Sequence, residues 1–76
     1  MNNTRRKQIA AIMAKLEELR EEVEALHDEE QECFDNLPEG IQMSERGEAM
    51  EEAANNLESA MDSIEEVLSY LEEAGV

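Results

Sequence analysis

Apolar residues in the first half of the chain recur at alternating spacings of three and four. This spacing aligns side chains along one stripe of an α-helix. The stripe consists of Ile9, Ile12, Leu16, Leu19, Val23 and Leu26. No glycine or proline interrupts residues 1–36, and acidic residues occupy the opposite side. A helix from about residue 4 to 35 is therefore predicted, with Asn3 or Thr4 accepting from the free amides of its first turn.

The pattern breaks at the middle of the chain and then resumes. Pro38 lacks a backbone donor and Gly40 is conformationally free, which predicts a loop over about residues 36–43. Ser44 has the chemistry of a helix N-cap. A second helix over about residues 44–74 follows from a second stripe with the same spacing, formed by Met50, Ala53, Leu57, Ala60, Ile64, Val67 and Leu71.

Two long helices joined by a short connection fold back on each other as antiparallel neighbours. The predicted fold class is therefore all-α, with residues 1–76 forming one two-helix hairpin domain. This pairing places the basic run Arg5–Lys7 beside Glu72 and Glu73. Apolar residues next to the two stripes are expected to stay exposed in a lone hairpin: Met13, Phe34, Ala54, Met61 and Leu68. A homodimer forming a four-helix bundle is predicted because it would cover them.

Charge narrows the possible partners. The chain has 21 acidic and 6 basic residues, a formal net charge of −15. Such a surface repels nucleic acids and anionic membranes and attracts basic protein surfaces. The predicted partner-binding residues lie on the acidic sides of both helices: Glu17, Glu18, Glu21, Glu22, Glu24, Glu51, Glu52 and Glu58. With one cysteine and no apolar run of membrane-spanning length, a cytoplasmic protein without disulfides is expected.

Two motifs are compatible with metal chemistry, but a simpler interpretation is favoured for each. Glu24 and His27 have the Glu-x-x-His spacing of di-iron bundles, although His27 falls outside the apolar stripe. Glu17-Glu18-x-x-Glu21 has the spacing with which all-α nucleotide pyrophosphatases hold magnesium. Many accidental matches are expected among so many acids. We therefore predict that His27 is a surface histidine and that the glutamates at 17, 18 and 21 form a solvated charged face. No metal, no cofactor and no enzymatic activity are expected.

The loop is the second candidate site. A patch for a partner is predicted there, formed by Phe34, Leu37, Ile41, Met43, Ser44 and Arg46. The alternative is that these residues pack on themselves as a cap over the end of the bundle. Glu30 and Cys33 continue the first apolar stripe. Glu30 is expected to lie partly exposed near the loop, to pair with Arg46 across the turn, or to mark an imperfect dimer seam that specifies register. Cys33 is expected to be a structural, buried thiol.

The run from Asp28 to Glu39, followed by Ser44 to Glu52, resembles short acidic proteins encoded by phages and prophages of Gram-positive bacteria. The resemblance extends over nearly the whole chain and implies a phage context without an assigned activity. A weaker similarity concerns the hairpin of phage proteins that sequester cyclic-nucleotide immune signals. It implies that Ser44 and Arg46 would face a phosphate at a helix N-terminus.

The function predicted from the sequence is that of a non-enzymatic, phage-derived inhibitor or modulator. Its acidic helical faces would dock on a basic, nucleic-acid-binding surface of a host defence or regulatory protein. The alternative is an oligomeric sponge that sequesters a nucleotide signal through the loop near Ser44 and Arg46.

Overall fold

All 76 residues are described by a computed structural model, which is entirely helical. Helix α1 spans Asn3–Asp35, α2 spans Glu39–Gln42 and α3 spans Glu45–Ala74. The long helices α1 and α3 lie side by side and antiparallel, and the single turn of α2 lies at the chain reversal. The all-α fold class is thus confirmed. The molecule is a thin rod, with Cα dimensions of 58 × 15 × 12 Å.

The first helix begins one residue earlier than the predicted caps require. Asn2 is the N-cap, and its side-chain oxygen accepts from the Arg5 backbone amide at 2.8 Å. The prediction of Asn3 or Thr4 is therefore wrong. Asn3 instead lies inside the helix, where its side-chain oxygen accepts from the Arg6 guanidinium at 3.2 Å.

The chain reversal is held by short polar contacts. Pro38 precedes α2 with φ −56°, and its carbonyl accepts from the Ile41 and Gln42 amides. The Gln42 side chain donates to the Phe34 carbonyl at 3.0 Å, which ties α2 to the end of α1. Ser44 then caps α3 as predicted, accepting from the Gly47 amide.

The first turn of α3 lies against the backbone of α2 at Gly47. This glycine is one of two buried residues in the chain. Its φ is not positive, so glycine is not needed here for a left-handed conformation. It is needed for space: a Cβ at this position would lie 2.6 Å from the Gln42 Cα and closer still to the Gln42 carbonyl. The close approach of the two helices therefore requires a residue without a side chain.

The interface between α1 and α3, here called the seam, follows spacings of four and three. Ile9 lies beside Gly75 at one end, and Arg20 contacts Glu65 nearer the middle, which fixes the register. Residues of the seam are less exposed than their neighbours. They are Ile9, Met13, Leu16, Arg20, Val23, His27, Glu30 and Phe34 of α1, and Met50, Ala54, Leu57, Met61, Ile64, Leu68, Leu71 and Gly75 of α3.

This seam corrects the predicted stripes. Ile12, Leu19 and Leu26 are 47%, 51% and 54% exposed, whereas the residues predicted to remain uncovered, Met13, Phe34, Ala54, Met61 and Leu68, lie in the seam. Cys33 is also exposed, so the prediction of a buried thiol is wrong. Every second residue of the predicted stripe on α1 belongs to the seam, and the others belong to a neighbouring row.

The chain ends and Glu30 complete the description of the hairpin. Arg6 donates to the Gly75 carbonyl at 3.1 Å, so the basic start of α1 does lie at the C-terminus. The contact is a hydrogen bond to backbone, and neither Glu72 nor Glu73 forms an ion pair. Glu30 is half-buried and has no ion pair with Arg46.

Candidate interaction faces

Acidic residues flank the seam on one side. Glu24 follows Arg20 by four residues, and Glu65 follows Met61 by four, so both occupy the same row relative to the seam. In antiparallel helices, rows with the same offset lie on the same side. This row and the adjacent row farther from the seam, which contains Asp28 and Asp62, form the side that we call the acidic face. Its exposed members are Glu17, Glu21, Glu24, Asp28, Asp35, Glu48, Glu51, Glu58, Asp62, Glu65 and Glu72.

The centre of the acidic face is an open depression of about 350 Å³ between the two helices. Arg20, His27 and Met61 belong to the seam and line it together with five carboxylates, those of Glu24, Asp28, Glu58, Asp62 and Glu65. The depression shows directly that both acidic rows lie on the same side of the hairpin. Seven of its eight lining residues are polar or charged, which distinguishes it from the pockets that hold small molecules, whose lining is predominantly hydrophobic and aromatic.

Arg20 is the cation of this depression. Its guanidinium donates to the Glu65 carboxylate at 2.7 Å, and the two side chains are 33% and 55% exposed. A pair open to solvent to this degree contributes less than about 1 kcal/mol. The pair neutralises one carboxylate, while the remaining acids of the depression form no pair with a lysine or arginine.

His27 lies closer to the partner helix than predicted. Its Nδ1 is 3.2 Å from the Asp28 carboxylate, and its side chain is 20% exposed. The prediction that Leu26 lies in the apolar stripe and His27 outside it is therefore reversed, because Leu26 is 54% exposed. No group of three or more histidine, cysteine or acidic side chains is arranged to hold a metal ion.

The predicted partner-binding residues separate into two groups. Glu17, Glu21, Glu24, Glu51 and Glu58 lie on the acidic face. Glu18 and Glu52 lie on the outer sides of the helices, and Glu22 lies toward the opposite face. Sequence reasoning missed Asp28, Asp62 and Glu65. The seven-residue repeat of Glu51, Glu58, Glu65 and Glu72 is the signal that would have found Glu65.

The opposite side of the hairpin carries uncharged rows, which we call the apolar face. On α1 it consists of Ile12, Leu19, Leu26 and Cys33, all exposed. On α3 it consists of smaller residues, Ala53, Ala60, Val67 and Ala74. The rod thus has two unlike sides, one acidic and one apolar.

The predicted loop patch is only partly assembled. Phe34 and Leu37 are half-buried, whereas Ile41 is 39% and Met43 80% exposed. The Ser44 hydroxyl is engaged on both sides, donating to the Ile41 carbonyl and accepting from the Gly47 amide. Arg46 is exposed. Ser44 therefore acts as a helix cap in this arrangement, and its geometry adds no support for an anion site.

Comparison of the chain with family models, curated proteins and solved structures finds no match. None of the helices has a stretch that is both long and apolar enough to cross a bilayer. The acidic face and the apolar face are therefore the two candidate interaction surfaces of the hairpin.

Proposed function

We propose that the chain is a small non-enzymatic interaction protein whose acidic face binds a basic surface of another protein. The observation that carries this proposal is that eleven of the 21 acidic residues lie exposed on one side of the rod, with Arg20 already paired to Glu65. Carboxylates distributed evenly around the rod would give a high net charge without a docking surface. Their concentration on one side gives a directed field toward a complementary patch.

The arrangement of these carboxylates indicates the class of partner. Two parallel rows of carboxylates along a narrow rod present regularly spaced negative charges, as a nucleic-acid backbone does. The natural counterpart is a protein surface that binds nucleic acid. From the resemblance to phage and prophage proteins we propose that this partner is a host defence or regulatory protein, which the chain would inhibit or modulate.

The first prediction distinguishes binding through the acidic face from binding that depends on net charge alone. The variant Glu17→Gln, Glu24→Gln, Glu58→Gln removes three carboxylates from the acidic face. We expect it to capture at least tenfold less partner from a nuclease-treated lysate of a Gram-positive bacterium, measured by quantitative mass spectrometry. Partner bound by the unaltered protein should elute with duplex DNA, because both compete for the same basic surface.

The matched control is Glu18→Gln, Glu52→Gln, Glu66→Gln, which makes the same change in net charge on the outer sides of the rod. It should retain partner nearly as well as the unaltered protein. Equal losses in both variants would show that binding follows net charge alone, and the proposal of a docking face would then be wrong.

We further propose that the working form is a homodimer assembled as a four-helix bundle. Ala54 and Gly47 are the only buried residues, and no large side chain is fully buried. A hairpin of this size has little core of its own, and chains in this range commonly acquire stability through association. The apolar face supplies the surface that a second copy would cover.

Sedimentation equilibrium tests the homodimer. We expect twice the 8.6 kDa chain mass, and tighter association as salt screens the net charge of −15. The variant Leu19→Gln, Leu26→Gln should weaken association at least a hundredfold, about 2.7 kcal/mol, because four half-exposed leucines per dimer lose apolar burial. Met43→Gln, in the exposed loop, is the control and should leave association unchanged. A monomer mass at all concentrations would refute the homodimer.

A further inference from the structure

We propose that the second copy covers the apolar face by a rotation about the long axis of the rod, so that both α2 turns lie at the same end. In this arrangement α1 of each copy packs on α3 of the other. This inference rests on the proposed homodimer and adds its geometry. The arrangement is inferred from the sizes and charges of the side chains on α1 and α3 that would face each other between the two copies.

Size complementarity favours packing α1 on α3. In the register set by Arg20 and Glu65, the exposed Leu26 lies level with Ala60 and Leu19 level with Val67. The α1 row is thus mainly large and the α3 row mainly small. Rotation about the long axis keeps each residue at its level and brings the large row of one copy over the small row of the other. Large residues facing small ones interdigitate, which is how helical layers reach native packing density.

Charge favours the same arrangement. Beyond the apolar face, α1 carries Lys15, Glu22 and Glu29, whereas α3 carries neutral residues at the corresponding levels, Tyr70, Ser63 and Asn56. Packing α1 on α3 places each glutamate beside a neutral residue of the second copy. The alternative rotation, about an axis across the rod, would pack α1 on α1. With its axis at the middle of the apolar face, between Ile12 and Cys33, it would bring Glu22 of both copies to the same level, and like charges in contact are unfavourable.

The area is adequate for such a dimer. The apolar face runs from Ile12 to Cys33, roughly 30 Å at about 1.5 Å per residue, and two helices wide, roughly 20 Å. About 600 Å² per copy would be covered, near the lower end of the range for specific interfaces. The two acidic faces would then lie on opposite surfaces of the bundle. One dimer would offer two docking surfaces, so that it could bind a dimeric partner or two partners at once.

The distance between the two turns tests the arrangement. A spin label is attached at Glu39→Cys in a Cys33→Ser background, at an exposed position of α2 outside both faces. Pulsed electron paramagnetic resonance should give a distance below roughly 30 Å if the turns share one end. The alternative rotation about the middle of the apolar face separates them by roughly 50 Å, since Glu39 lies about 17 residues from that point and each residue adds about 1.5 Å.

Sedimentation of the same labelled sample distinguishes the possible failures. A dimer with the short distance supports the arrangement, and a dimer with the long distance overturns it while leaving the homodimer intact. A monomer with no measurable distance overturns both. Labelling at Asn3→Cys, at the other end of the rod, is the internal check, because it too must give a short distance only in the proposed arrangement.

Discussion

Replacing Gly47 by alanine is expected to lower the free energy of unfolding by about 2 kcal/mol or more. Alanine is normally favoured over glycine inside a helix by about 1 kcal/mol, so propensity alone predicts stabilisation. The added Cβ, however, would lie 2.6 Å from the Gln42 Cα, and its obstacle is backbone rather than a movable side chain. Either α2 or the first turn of α3 must therefore shift, which also disturbs the Ser44 cap and the Gln42 contact to Phe34.

Urea denaturation followed by circular dichroism measures this effect, with all samples at one protein concentration because association contributes to stability. Gly40→Ala is the matched control. A Cβ at Gly40 has no neighbour within 4 Å, so this substitution should be neutral or stabilise by up to about 1 kcal/mol. If Gly47→Ala behaved like Gly40→Ala, the close approach of α2 and α3 would not exist as described.

Enlarging Ala54 is expected to have the second largest effect. Its side chain is 0% exposed and lies in the seam, near the level of Phe34 and Glu30. Leucine at this position adds three carbon atoms where the helices already touch, and overpacking of this kind typically costs about 1–3 kcal/mol. The helices would have to separate near the turn. Ala54→Leu should accordingly lower the urea midpoint and broaden proton resonances from α2.

Ala25→Leu provides the comparison for Ala54→Leu. Ala25 is exposed on the outer side of α1, and leucine and alanine have similar helix propensities. This variant should change stability by less than about 0.5 kcal/mol. A comparable loss in both variants would indicate that enlarging any helical alanine is harmful, and the seam position of Ala54 would then explain nothing.

The course of the backbone could be predicted well because its signals are local. Pro38 and Ser44 mark where helices stop and start through their own chemistry, without help from distant residues. Asn2 was missed because several polar residues compete for the same cap. The short helix α2 could not be foreseen, because its formation depends on contacts to α1 and α3 that the sequence of four residues does not show.

Which side of each helix packs in the seam could not be predicted from apolar spacing alone. The seam contains Arg20, His27 and Glu30, which interrupt its apolar pattern, whereas the neighbouring row of Ile12, Leu19 and Leu26 is uninterrupted. The predicted stripe combined this row with half of the seam, so it was rotated toward the apolar face. The same error explains the partner-binding residues, because acidic positions can be assigned to one side of the rod only once the seam is known.

The position of the turn at the middle of the chain bears on how the hairpin closes. Its tertiary hydrogen bonds span very different sequence separations: 8 residues for Gln42 to Phe34, 45 for Arg20 to Glu65 and 69 for Arg6 to Gly75. Loop-closure entropy rises only with the logarithm of separation, by about 1.5 kcal/mol from the first to the second and about 0.4 kcal/mol more to the third. Once the turn has formed, each further pair of residues across the seam closes a loop only slightly larger than the last. We therefore expect the hairpin to form from the turn toward the termini, with the two chain ends as the part that opens most readily.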